Sequence, residues 1–223
     1  GSTQACCRKW APFGGQLSLM TTLLLTGFEP FGGEPINPSW EVARALHGEV
    51  MGEWRIESVQ LPCVFALAPQ ALDQALMRHA PVAVLCLGQA EGRSDITPER
   101  VAINCKNARQ PDNSGAQPRE ESVIQGGPTA YFSRLPLPAM VQRLRELDIP
   151  ASISNTAGTY VCNQVFYHLM HHWPGRKPAG FVHLPCLPEQ VPRMTQVSHC
   201  PALPLQVQIR AVRELATLLA LEG

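Results

Sequence analysis

Three residues carry side chains that together could perform nucleophilic catalysis. Cys162 follows Ala157-Gly158-Thr159, a turn of small residues, and opens a segment with Val165, Phe166, Leu169 and Met170 at helical spacing. A thiol in the first turn of a helix feels the positive end of the helix dipole, which favours thiolate. The arrangement would be a nucleophile elbow with sulfur in place of a hydroxyl. A free cysteine at this place is equally well read as a small, buried structural side chain, and position alone leaves both readings open. His183 ends the apolar run Gly180-Phe181-Val182. An imidazole there suits general acid–base work near neutral pH, or a satisfied place in the core. Glu99, within Ile96-Thr97-Pro98-Glu99-Arg100, could orient such an imidazole. It could equally form an ordinary ion pair with Arg100 or Arg109.

Other clusters are weaker. His168, His171 and His172 follow each other as H-x-x-H-H, which could suggest a metal. No third ligand of matching spacing and no H-E-x-x-H accompanies them, so they read as a solvated helix face. The turn Phe31-Gly32-Gly33 belongs to no phosphate-binding motif, neither G-x-x-x-x-G-K-[ST] nor G-x-G-x-x-G. It reads as a tight turn displaying Phe28 and Phe31 at the end of a strand. The eight cysteines, Cys6, Cys7, Cys63, Cys86, Cys105, Cys162, Cys186 and Cys200, contain no C-x-x-C and no zinc-ligand spacing. A chain of this length needs no disulfide framework, so a reducing, cytoplasmic compartment is expected.

These side chains need a scaffold, and the pattern predicts one. Leu23-Leu24-Leu25, Val82 to Leu87 and Phe181 to Leu184 are short apolar runs, as in strands buried on both faces. Ile56 to Leu61 and Ala151 to Ser154 read as further strands. Helices are expected from Pro38, capped by Asn37, to Gly48, and from about Pro69 to His79. Others should run from Pro138, from about Tyr160 to Trp173, and from about 205 to Leu221. Residues 104–138, rich in Pro and Gly, read mostly as loop, and so long a loop in a domain is usually functional or disordered.

Strands alternating with helices predict the α/β class: a single-domain α/β/α sandwich around a mostly parallel twisted sheet. In such sheets ligands bind outside the carboxyl ends of the strands. Four unusual segments follow expected strands: Thr26 to Gly33, Gly88-Gln89-Ala90, Asn155 to Thr159, and His183-Leu184-Pro185. A parallel sheet would gather them on one edge, which is the expected site.

Composition bounds the rest. The chain has 223 residues, enough for one domain with a full core. Eighteen Lys and Arg balance eighteen Asp and Glu, which disfavours a phosphate-neutralising surface and hence nucleic acid. No apolar run reaches the roughly 18 residues of a membrane-spanning helix. Residues 1–19 have no helix or strand period, and Gly1-Ser2 reads as a remnant of an expression tag. The catalytic domain is therefore expected to comprise residues 20–223, with 1–19 a remnant or a disordered arm.

Taken in order, several of these segments resemble the pyroglutamyl peptidase type I family, also called pyrrolidone-carboxylate peptidases. The matching stretches are Thr26-Gly27-Phe28-Glu29-Pro30-Phe31-Gly32-Gly33, Asn37-Pro38-Ser39-Trp40, and Ile96 through Asn104. They continue with Pro111-Asp112-Asn113, Gln125-Gly126-Gly127-Pro128 and Thr156 through Asn163. Gly180 through Pro185 and Pro188-Glu189-Gln190 complete the set, which spans Met20 to near the end of the chain. The resemblance implies a cysteine peptidase that removes an N-terminal pyroglutamyl residue from peptides, without metal or cofactor. It implies a triad of Glu99, Cys162 and His183. Phe28 and Phe31 would wall the lactam ring, and Gln89 would contact the lactam amide. Tyr160 and Val161 would border the pocket, with Arg109 near the active site. Family members often form homo-oligomers, so a dimer or tetramer is expected.

That chemistry is coherent. Pyroglutamate carries no charge, because its amine is locked in a lactam. A small aromatic pocket with one or two amide hydrogen bonds suits such a ring. Two other readings remain open on sequence alone: another thiol hydrolase with a different acyl pocket, and a small-molecule binding module in which Cys162 is structural.

Overall fold

In the computed structural model, which describes residues 20–193 and 200–222, one twisted sheet separates two apolar cores. The elements are β1 (Thr21–Phe28), α1 (Pro38–Leu46), β2 (Val50–Met51), β3 (Trp54–Leu61), α2 (Ala68–His79) and β4 (Ala83–Gln89). They continue with β5 (Thr97–Pro98), β6 (Val101–Ile103), β7 (Ala130–Phe132), α3 (Leu137–Glu146), α4 (Val161–His172), β8 (Ala179–Leu184) and α5 (Leu205–Glu222). The sheet order is β2-β3-β1-β4-β8-β5. The four inner strands are parallel, and only the short edge strands β2 and β5 run antiparallel.

The pleat of β1 shows how the runs of leucine are used. Successive side chains point to opposite faces. Leu23 and Leu25 join α1, α3 and α5 on one face, while Leu24 faces α2 and α4 on the other. β4 and β8 are buried along their whole length, and their polar side chains, Gln89 and His183, stand at or near the carboxyl ends. The class and the mostly parallel sheet thus agree with the expectation.

The connection from β1 to α1 is tied tightly. Asn37 caps α1 by accepting from Ser39 N at 3.0 Å, and its amide donates back to Glu29 O at 3.1 Å. Ser39 Oγ in turn accepts from Phe28 N at 2.9 Å. A Cβ on Gly27 would stand 2.3 Å from Ser39 O, so only glycine allows α1 to approach the end of β1 this closely.

Two expectations need correction, and residues 104–138 are mostly loop as expected apart from one short strand and the start of α3. Ala151 to Ser154 is not a strand: it meets the 96–99 segment only through isolated parallel bridges at Ala151 and Ser154. Pro98 has no N–H to continue that ladder, and β5 pairs on its other side with β8. Within 104–138, β7 pairs antiparallel with β6, a three-residue element too short to show a period. The histidines of α4 are not a freely solvated face. His168 Nε2 meets Asp73 at 2.8 Å, and His171 Nδ1 meets the Tyr131 hydroxyl at 2.7 Å. Residues 1–19 lie outside the described residues.

Candidate active site

The carboxyl ends of β1, β4 and β8 open onto one cavity of about 500 Å³. All four segments singled out in the sequence contribute to its wall: Phe28 and Phe31, Gln89 and Ala90, Thr156 to Thr159, and His183. Cys162, Tyr160 and Arg109 line it as well.

Cys162 sits in the first turn of α4, after Tyr160 in extended conformation. The turn before it needs Gly158, whose φ is +74°. Asn163 anchors the helix start from the far side. Its Oδ1 accepts from Ile103 N at 3.0 Å, and its Nδ2 donates to Ile103 O at 2.9 Å and Cys105 O at 3.0 Å. Opposite the thiol, Gly88 makes room: a Cβ there would lie 2.8 Å from Cys162 Sγ.

His183 lies directly across the β4–β8 ladder from Gly88. Its Nδ1 is 2.7 Å from Glu99 Oε1, which leaves Nε2 as the other ring nitrogen. Glu99 is fully buried just past β5. Burial alone would raise its carboxyl, but the hydrogen bond and charge of His183, then the Ser154 hydroxyl and the charge of Arg93, outweigh it and hold the group below its ordinary range. Burial pushes His183 down, against the pull of the Glu99 carboxylate, which favours the neutral imidazole.

Arg93 escaped the sequence reading. Its Nη1 donates to Glu99 Oε1 and to Thr97 Oγ1, both at 2.6 Å, and Nη2 donates to Thr156 O at 2.8 Å. It is this residue, not Arg100 or Arg109, that pairs with Glu99; Arg100 Nε instead reaches Asn155 Oδ1 at 2.8 Å. A basic residue six positions upstream was the only signal, and it cannot say which carboxylate it meets.

The thiol departs from expectation. Burial, with the Cys63 thiol and the Glu99 carboxylate adding to it, pushes Cys162 well above its ordinary value. Arg93 and the residue's own backbone N–H pull the other way without prevailing. Both shifts favour the uncharged thiol and the uncharged imidazole over a preformed thiolate. Alkylation by iodoacetamide, followed on the Cys162 peptide by mass spectrometry, should accelerate steadily from pH 7 through pH 9. A rate already level at pH 7 would show that the helix terminus overrides burial.

The remaining wall is built from fixed groups. Gln89 donates through Nε2 to Cys186 Sγ at 3.4 Å and accepts through Oε1 from Gln190 Nε2 at 3.2 Å. Gln190 is held in turn by Leu187 N, at 2.8 Å from its Oε1. Tyr160 packs edge-on against Phe65 with centroids 5.3 Å apart, near Phe31 at 6.2 Å, and donates its hydroxyl to Pro111 O at 3.0 Å. The loop that carries Arg109 is pinned: Asp112 Oδ2 accepts from Phe65 N at 2.8 Å, and Asn113 Nδ2 donates to Glu29 Oε1 at 2.8 Å. Val161 is the exception among the expected residues. It is fully buried in the core between α4 and the sheet and does not line the cavity. Cys63 lines the cavity unforeseen, its thiol raised to about 12 chiefly by burial.

A family model described as pyroglutamyl peptidase matches residues 21–221. The chain belongs to the pyroglutamyl peptidase family. It is therefore an enzyme, a cysteine-type peptidase, and the binding-module reading falls away. A relative from Yersinia pestis (strain Pestoides F), named pyrrolidone-carboxylate peptidase, is 53% identical over 199 residues, covering 85% of this chain and 93% of the relative. The crystal structure of Bacillus amyloliquefaciens pyroglutamyl peptidase I matches with a TM-score of 0.84 at 45% identity, over 90% of this chain and 97% of that one. A mutant pyrrolidone carboxyl peptidase from P. furiosus matches with a TM-score of 0.87 at 38% identity, over 91% and 99%. Across the pyroglutamyl peptidase fold as it stands here, no helix of the described residues is long and apolar enough to cross a membrane. Nor do the described residues include a group of three or more His, Cys, Asp or Glu placed to hold a metal ion.

Proposed function

We propose that this enzyme hydrolyses the amide bond after an N-terminal pyroglutamyl residue of peptides, through a thioester on Cys162. The observation that carries this reading is the Glu99–His183 pair, 2.7 Å apart, on the wall of the same cavity as Cys162 and two phenylalanines. Phe28 and Phe31 flank the flat lactam ring. Gln89 uses the amide hydrogen and lone pair that its neighbours leave free to meet the lactam amide. Tyr160 closes the aromatic side, and Arg109, also on the cavity wall, is near the reacting bond in this reading.

The chemistry follows from the protonation states. His183 takes the thiol proton as Cys162 Sγ bonds to the scissile carbonyl carbon. Glu99 keeps the ring oriented and stabilises the imidazolium. Backbone N–H groups at the start of α4 face the developing oxyanion. Collapse breaks the C–N bond, and His183 gives its proton to the leaving amine. Water, losing a proton to His183, then attacks the thioester. Pyroglutamate leaves, and the thiol regains its proton.

Residues 20–223 act as one catalytic unit in this reading. The free thiols of Cys63, Cys86, Cys105, Cys162, Cys186 and Cys200 suit a reducing cytoplasm. The family resemblance favours a homo-oligomer, a dimer or tetramer.

The test is fluorophore release from a pyroglutamyl aminocoumarin amide beside the prolyl amide. The prolyl ring carries an ammonium and lacks the lactam carbonyl, so it leaves buried partners unpaired. The pyroglutamyl amide should be preferred by about 10³-fold or more in kcat/KM. Equal turnover of the two would overturn the pocket assignment.

A further inference from the structure

We infer that Arg93 is a positioning residue of this site, holding Glu99 in place and offsetting its charge so that His183 remains a neutral proton acceptor. The inference rests on the reading of His183 as general base.

One carboxylate oxygen carries the argument. Glu99 Oε1 receives both His183 Nδ1, at 2.7 Å, and Arg93 Nη1, at 2.6 Å. A buried carboxylate beside an imidazole with no other cation would favour the imidazolium. A histidine already protonated cannot take the thiol proton. The guanidinium on the same oxygen weakens that pull without removing the hydrogen bond that orients the ring. Its charge also acts on His183 directly, against protonation.

The attachment of Arg93 is specific. Nη1 is shared between Glu99 and the Thr97 hydroxyl, and Nη2 reaches Thr156 O at 2.8 Å. Thr156 begins the turn that leads to Cys162. One planar group therefore joins the carboxylate to the segment that carries the thiol, with a fork that lysine cannot reproduce. The side chain of Arg93 keeps 27% of its exposure whereas Glu99 has none, so the cation reaches into the site from the cavity side.

Other groups around His183 are accounted for. On the β5 side it faces Glu99 and Arg93, and on the α4 side Cys162. The β4 side presents Gly88, with Glu91 beyond it on the cavity wall. Arg109 lines the same cavity from the pinned loop. Phe181 packs its ring 4.8 Å from the imidazole and carries no charge. Among these groups, the two that share an atom with the imidazole's partner or bond to it are Glu99 and Arg93.

The experiment is the pH profile of kcat/KM on the pyroglutamyl aminocoumarin amide for the native enzyme, Arg93→Gln and Arg93→Lys. The native profile should fall on the acid side below pH 6.5, where His183 gains a proton. In Arg93→Gln this limb should move up by about one pH unit, so that activity lost at pH 6 is largely regained at pH 8. Arg93→Lys, which keeps the charge and loses the fork, should leave the limb in place and lower the rate at every pH. NMR titration of the His183 ring in each variant gives the same quantity without turnover. A uniform loss in Arg93→Gln with the limb and the ring titration unmoved would reduce Arg93 to a structural tie and overturn the inference. Should Arg93→Gln not fold, a limb that moves in Arg93→Lys would overturn it, and one that stays would support it. A native enzyme with no acid limb would instead overturn the general-base role of His183.

Discussion

Replacing Cys162 by alanine is expected to lower kcat/KM on a pyroglutamyl aminocoumarin amide by about 10⁴-fold or more, leaving binding of a pyroglutamyl product nearly intact. In the proposed mechanism the thiol supplies the bond that carries the acyl group, and the described residues hold no ready substitute in the cavity. Cys63 shares the wall, yet its thiol is buried, raised to about 12 and engaged with the Tyr160 hydroxyl. Cys105 is half-buried but lies outside the cavity, so Cys105→Ala is the matched control and should keep full activity. The loss should come without unfolding. Removing one sulfur from a side chain at the edge of a cavity leaves a space that water can enter, so thermal denaturation should move by only a few degrees. Residual turnover that vanishes in the Cys63→Ala background would move the nucleophile to Cys63. Residual turnover insensitive to both would mean that the hydrolysis does not proceed through a thiol.

How far such a site can be read from sequence depends on what each feature requires. The strands were legible because β1, β4 and β8 are buried on both faces, and unbroken apolar runs have few other uses. Helix α1 was legible because Asn37 and Pro38 are a chemical start signal, and the structure uses Asn37 as a side-chain cap. The short strands β2, β5, β6 and β7 were not, since two or three residues cannot display a period. Cys162 and His183 could be marked because they open, or stand near the end of, readable elements, whereas Glu99 follows the illegible β5 and was marked with its segment Ile96 to Arg100. Arg93 could not, because an ion pair is decided by where two loops meet. Val161 was misplaced for a geometric reason. Neighbours on a helix point about 100° apart, so with Cys162 turned to the cavity, Val161 turns to the core. The opposing influences on the thiol were not legible, because the helix dipole can be inferred from a pattern, whereas burial and the nearness of Cys63 and Glu99 belong to the tertiary structure.

Gly88→Ala is expected to lower kcat/KM by about 10²-fold or more, although the new methyl touches neither substrate nor the Glu99–His183 pair. The backbone at Gly88 does not adopt a positive φ, so the local conformation tolerates alanine. The obstacle is space. A Cβ would lie 2.8 Å from Cys162 Sγ, and 2.8 and 2.9 Å from Cζ and Cε1 of Phe181. Contacts this short cannot persist. The strand cannot retreat, because β4 is bonded to β1 on one side and to β8 on the other, with Gly88 opposite His183. Either the thiol swings away from the imidazole or the Phe181 ring moves. That ring packs 6.4 Å from Phe28, 6.0 Å from Phe166 and 4.8 Å from His183 between centroids, so its displacement disturbs both Phe28 on the cavity wall and the imidazole. Overpacking of this kind costs about 1–3 kcal/mol, which urea denaturation would register. Activity and stability separate the two routes. If the ring gives way, Phe181→Leu in the Gly88→Ala background should recover much of the stability and part of the rate. If the thiol gives way, stability should change little, and slow alkylation of Cys162 should accompany the lost activity. Full activity in Gly88→Ala would mean that Cys162 reacts from a position other than the one beside Gly88.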